Sequence, residues 1–161
     1  LSYLKKLGAL MVLGNHEHIM IESIIGSDEE AEGVWNKNGG QWHKLISDKS
    51  LISHCQWLLE QPLSLVIDYR RHKIGLSHTL PTAWDWQNLP TDKSKVVAAL
   101  LWDRELFKRG KGLVNHGVDF SIHGHNSTQI PIWIDNSYHI DTSFYGRPTV
   151  VELKAIIEKL V

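Results

Sequence analysis

The chain has 161 residues, 42% hydrophobic and 22% charged, with a formal net charge of −1. That is one soluble-type domain able to bury about two-thirds of its unfolded surface. There is no basic excess for a nucleic-acid backbone, and no apolar run of about eighteen residues to span a membrane.

Taken in order, Leu1 to Gly8 reads as the last turns of an amphipathic helix with a glycine C-cap, and so implies something before it. The run Ala9-Leu10-Met11-Val12-Leu13 has the length and character of a buried strand. Gly14-Asn15-His16-Glu17 follows, then Ile19, Met20, Ile24 and Ile25 at helical spacing. Residues 26–33 form an acidic loop or short helix, and Val34 to Trp42 a loop with two tryptophans, packed on the core or walling a cleft. Leu51, Ile52, Cys55, Leu58 and Leu59 mark a helix closed by Pro62. Cys55, the single cysteine, reads as a small buried hydrophobe; its solitude excludes an internal disulfide and suits a reducing, cytoplasmic setting.

The period then changes. Leu65 to Tyr69 and Lys73 to His78 form a hairpin around a basic turn, and Thr79 to Pro90 is a long loop carrying Trp84 and Trp86. Lys93 to Lys108 is helical, with Trp102-Asp103-Arg104-Glu105 inside it or at a break. Val118 to His123 is a strand. Gln129 to Ile134 and Tyr138 to Ile140 flank an Asp135-Asn136 turn, Thr149 to Leu153 is a further strand, and Ala155 to Val161 a terminal helix. The order predicts an α/β fold, mixed sheets ending in a β-meander with helices outside.

Ten histidines stand out. His16, His78 and His125 each follow a strand-like run and precede a turn, so with Asn15 they can converge above the sheet ends. An amide oxygen ligates a metal without titrating, and an imidazole ligates or moves protons near neutral pH. This nitrogen-and-oxygen set suits Mn²⁺, Fe²⁺ or Zn²⁺ rather than Mg²⁺ or Ca²⁺, and without thiolates it is no structural zinc knot. The plain alternative is an N-cap Asn15 beside an incidental His16. His18, His43, His54, His72, His116 and His139 read as surface or packing residues, and of His123 and His125 only one ring should face the site.

Gly14-Asn15-His16-Glu17, Ser77-His78, Trp102-Asp103-Arg104-Glu105, Gly124-His125 and Ile140-Asp141-Thr142 occur in the order found in calcineurin-like metallophosphoesterases. Their spacing most resembles the bacterial and bacteriophage-lambda-type serine/threonine protein phosphatases, over about Leu7 to Leu153. The resemblance implies a β-sandwich flanked by helices, with residues 1–161 as the C-terminal portion of a single domain. It also implies two divalent metals, Mn²⁺ first and Fe or Zn next, and hydroxide attack on phosphorus. By position, Asn15, His78 and His125 match metal ligands, and His16 the group that protonates the departing alkoxide. Arg104 matches a phosphate-holding arginine; Glu17 and Asp141 match residues that orient ligands or pin loops.

The family's D-x-H and G-D-x-x-D-R motifs, which supply the other metal's ligands, do not occur in these 161 residues. The expectation is a chain starting after them, feeble or inactive alone, that pairs with another copy, retains an N-terminal segment or aggregates. The substrate expected is a phosphoprotein or small phosphoester. The alternatives are diadenosine polyphosphates, stacked on Trp84 or Trp86, or a non-catalytic remnant.

Overall fold

The structure, a computed structural model, describes residues 1–81, 84–88, 92–109 and 115–160. Parts of the expected Thr79–Pro90 loop, and Val161 of the expected terminal helix, therefore lie outside the described residues. The chain divides into two compact units, Leu1–Leu63 and Ser64–Val161.

In the first unit, α1 (Ser2–Leu7) ends as expected. Gly8 sits at φ 62°, where a side chain would be strained, and its N–H closes the last turn. Residues 9–13 are not a strand: a strand needs a ladder, and among the described residues none forms here. Leu10 is 79% exposed, Met11 packs partly against the core, and Leu13 is buried, its N–H donating to the Pro62 carbonyl at 2.9 Å. Helix α2 (Asn15–Ile24) buries Ile19, Met20 and Ile21, while Ile25 ends it largely exposed.

The expected loop at Val34 is corrected too. The Asp28 carboxylate accepts from the N–H groups of Glu30 and Ala31 and starts α3 (Glu29–Lys37), which runs through Gly33 and Trp35. The cap and the burial of Trp35, 2% exposed, outweigh the cost of about 1 kcal/mol for a glycine inside a helix. A 3₁₀ helix follows at Gly40–Leu45. A Cβ on Gly40 would meet the Trp35 ring at 2.4 Å, so glycine is what lets that ring lie on the backbone. Ser47 then caps α4 (Asp48–Leu59), and Leu51, Cys55 and Leu58 complete the core of this unit. Cys55 is fully buried as expected, and burial pushes its thiol pKa up.

The second unit is built on one mixed five-stranded sheet in the order β1-β2-β3-β5-β4. Strands β1 (Ser64–Tyr69) and β2 (His72–Ser77) form the expected antiparallel hairpin. Its turn puts Arg70 and Arg71 at φ 50° and 68°, a conformation usually left to Asn-Gly. Strand β3 (Phe120–His123) runs parallel to β2, and β5 (Ser137–His139) parallel to β3. Strand β4 (Ile132–Ile134) pairs antiparallel outside β5. The meander is therefore corrected: the β4–β5 hairpin reverses the chain, so its second strand lies along β3.

Helix α5 (Lys93–Trp102) buries Leu100 and Leu101 fully, and a break at Asp103 separates it from α6 (Glu105–Arg109). The strand expected at 149–153 is absent. The chain there leads into α7 (Leu153–Leu160), whose Ile156 and Ile157 join Ile74, Phe120 and Ile122 in the core. Ile156, Ile157 and Leu153 repeat at the helical period rather than alternating. The fold is thus mixed α/β, with one sheet among the described residues. None of their helices is long and apolar enough to cross a membrane.

Candidate metal centre

Parallel pairing makes β2 and β3 finish at the same edge, with Ser77 opposite His123. One residue further, the Gly124 N–H donates to the His78 carbonyl at 3.1 Å and extends the register past both strands. The chain then folds sharply. His125 takes φ 62°, and the Asn126 N–H closes a three-residue turn on the Gly124 carbonyl at 2.7 Å. Positive φ is uncommon outside glycine, and histidine is among the side chains that adopt it more readily.

The turn brings His125 Nδ1 to 3.1 Å from His78 Nε2, with the rings at 62° and their centroids 4.8 Å apart. Two nitrogens on one ion, each about 2.1 Å from it, stand about 3.0–3.4 Å apart at bond angles of about 90–110°. The observed spacing is within that window. It is equally the length of an N–H···N bond between neutral rings, so an ion entering here would displace a proton. Among the described residues no three or more His, Cys, Asp or Glu side chains form a group that could hold a metal. What the strand ends bring to one point is the pair of imidazole nitrogens.

Arg104 stands in the break between α5 and α6. Asp103 leaves helical geometry at ψ 134°, and its carboxylate caps Glu105 at 2.8 Å. Arg104 Nη1 donates to the His125 carbonyl at 3.3 Å and to Asn126 Oδ1 at 3.0 Å. Asn126 is buried and was not singled out by the sequence reading; its position directly after Gly124-His125 was the available signal. The guanidinium is thus anchored by one nitrogen, leaving the rest of a planar donor fork for an anion.

Asp141 bridges two loops. Its carboxylate accepts from Ser143 N–H at 3.2 Å, Ser143 Oγ–H at 2.8 Å and Ser127 Oγ–H at 3.4 Å, while its carbonyl accepts from Thr128 N–H at 2.8 Å. The segments after β3 and β5 are tied together around a pocket of about 240 Å³ lined by His78, His125, Asp141, Thr142, Ser143 and Thr149.

His123 is the ring that faces away. Only 1% exposed, it donates from Nδ1 to the Ser77 carbonyl at 3.2 Å and accepts at Nε2 from Ser121 Oγ–H at 2.6 Å. His139, expected at a strand surface, is instead 1% exposed. Ile134 takes the Ser137 hydroxyl proton, so His139 donates from Nε2 to Ser137 Oγ at 3.2 Å. That leaves the buried Nδ1 of His139 without a partner. Burial pushes the pKa of His123 down to about 3, helped by the neighbouring His139, and that of His139 down to about 4. The missed signal was the repeated Ser-x-His at 121–123 and 137–139, which places hydroxyl and ring on one face of each strand.

The remaining expected residues belong to the first unit. Gly14, not Asn15, is the N-cap of α2; Asn15 is the first helical residue and is buried. His16 is exposed, and Glu17 sits in the first turn, where a carboxylate complements the helix dipole. Both line a pocket of about 320 Å³ with Trp35 and Trp42. Trp35 is core, stacked on His43 at 4.6 Å, whereas Trp42 is 42% exposed, so the two tryptophans divide the packing and wall roles.

Trp84 and Trp86 are corrected as nucleotide platforms. They are 7% and 8% exposed and pack edge to face, with Trp86 pressed against the backbone of Gly75. No protein-family model matches the chain, and no curated protein matches it in sequence.

Proposed function

We propose that this protein is a metal-dependent phosphoester hydrolase of the serine/threonine protein phosphatase kind. The observation that carries the reading is the His78–His125 nitrogen pair, 3.1 Å apart, with Arg104 fixed to the backbone of one of its members. In this reading the sheet of the second unit is one layer of the two-sheet metallophosphoesterase architecture.

Two imidazoles suit a divalent ion of the Fe²⁺ or Zn²⁺ class, and the resemblance adds Mn²⁺. Such an ion, when bound, supplies Lewis acidity and lowers the pKa of water. The chain's own residues do the rest. His78 and His125 present ring nitrogens from two strand ends held in register. Arg104 offers its free donors to phosphoryl oxygens in fork geometry. Asp141 keeps the two loops from drifting. His16 keeps the proton-donating role the resemblance gives it.

Because D-x-H and G-D-x-x-D-R do not occur in the chain, the reading expects feeble turnover from these residues alone. The test is hydrolysis of p-nitrophenyl phosphate with and without Mn²⁺, alongside binding of inorganic phosphate to the Mn²⁺-treated chain. Weak Mn²⁺-dependent turnover, or phosphate binding, that is lost in His78→Ala and Arg104→Ala supports the proposal. Metal-independent turnover, or no phosphate binding at all, overturns it.

A further inference from the structure

Beside Arg104, and sharing it, lies a surface groove of about 520 Å³ whose lining includes Ala98, Ala99 and Trp102, with Lys95, Lys108 and the carboxylates of Asp103 and Glu105 also at it. Resting on the phosphoester reading, we infer that this groove is a subsite for the organic part of the substrate. Trp102 is its platform, and the preferred ester carries a flat aromatic group next to its phosphate.

The argument begins with helix geometry. Leu100 and Leu101 are fully buried, and the next residue, turned about 100° further around the helix, leaves the core. Trp102 is 45% exposed, a large apolar ring at the last position before the break. A lone exposed tryptophan needs no explanation by itself. This one is distinguished by its neighbours. Its ring meets the His125 imidazole edge to face, at 87° with centroids 6.4 Å apart. Two residues on, Arg104 holds the His125 carbonyl. The ring and the anion-holding fork are thus fixed to the same histidine from the same helix break.

A phosphate bound by Arg104 beside the His78–His125 pair has two directions in which to extend its organic group. Toward the strand ends it meets Thr142, Ser143 and Thr149, small polar residues with no aromatic surface. Toward α5 it meets Trp102 over a floor of Ala98 and Ala99, whose methyl groups leave room for a flat ring. The charges at the rim favour such a ring over further phosphates. Lys95 lies 3.6 Å from Asp92, and Lys108 3.1 Å from Glu105, so both ammonium groups already face carboxylates. An aromatic platform without free cations suits an aryl ester, or a phosphopeptide with an aromatic residue next to the phosphorylated one, and not a polyphosphate chain.

The test compares phenyl phosphate with methyl phosphate on the Mn²⁺-treated chain, by calorimetry or by ³¹P line broadening. Stacking on one ring should make phenyl phosphate bind about fivefold tighter or more. Trp102→Leu should bring the two esters to parity, and Trp102→Phe, which keeps a ring, should retain most of the preference. Equal affinity in the wild-type chain, or a preference that survives Trp102→Leu, overturns the subsite. If neither ester binds, or both bind unchanged in Arg104→Ala, the phosphoester reading itself has failed and the subsite falls with it. Matching thermal melts of the variants guard against a folding artefact.

Discussion

Two pairs of histidines lie in the second unit, and they have opposite fates. His78 and His125 lie just beyond the strand ends, meet nitrogen to nitrogen, and line a pocket. His123 and His139 lie within the strands, in register, with ring centroids 5.4 Å apart, and are sealed under serine hydroxyls. The side chains are identical, so the difference comes from where each strand stops. Inside the ladder an imidazole must be neutral and hydrogen-bonded; past it, a ring can meet a ligand. The buried pair is a structural joint, whereas the outer pair lines a pocket a ligand can enter.

Substitution separates the two roles most sharply. His123→Ala should cost about 3 kcal/mol or more, because it opens a cavity and strands the groups that Ser77 and Ser121 present. His78→Ala should cost less than about 1 kcal/mol, since its ring is half-buried beside a pocket. Urea denaturation of both variants checks this, and equal losses would erase the distinction.

Acid should attack the buried pair. In the unfolded chain these imidazoles titrate near 6.5; in the fold His139 titrates near 4 and His123 near 3. Between those values the unfolded state holds more protons, so stability is complete above about pH 6.5 and falls as pH drops toward 4 and then 3. The urea midpoint should therefore decline between pH 7 and pH 4.5, and decline less in His139→Asn. An unchanged slope in that variant would mean that other groups govern the acid limb.

Arg104→Ala should weaken phosphate binding by about tenfold or more, since charge-assisted bonds to an anion contribute about 1.5–3 kcal/mol. Arg104→Lys should recover only part of it, lacking the planar fork. Asp141→Asn should have the smallest effect, a stability loss of about 1 kcal/mol as the loop contacts weaken. A calorimetric phosphate titration and a thermal melt cover both.

Much of this was legible in the sequence because it follows from local chemistry. Gly8 as a C-cap, the β1–β2 hairpin and the helix closed before Pro62 all rest on short-range rules, as does the placement of His78 and His125 after their strands. What failed depended on partners far away in the chain. Ala9 to Leu13 has strand composition but no ladder to join. Val151 and Leu153 look like strand residues until the spacing to Ile156 and Ile157 is weighed. His139 was read as a surface residue because nothing local reveals that β5 is an inner strand, flanked by β3 and β4. Asn126 gained its role only when the α5–α6 break brought Arg104 to it.

The most direct measurement is a Mn²⁺ titration followed by calorimetry or electron paramagnetic resonance. The wild-type chain should bind Mn²⁺ saturably, with proton release that grows as pH falls. His78→Ala and His125→Ala should each weaken binding by at least about a hundredfold, the upper end of losses seen when a ligand's supporting partner is removed. His139→Asn should bind like wild type. Undiminished binding in His78→Ala, or no saturable binding by the wild-type chain, would contradict the assignment of the outer pair as a metal site.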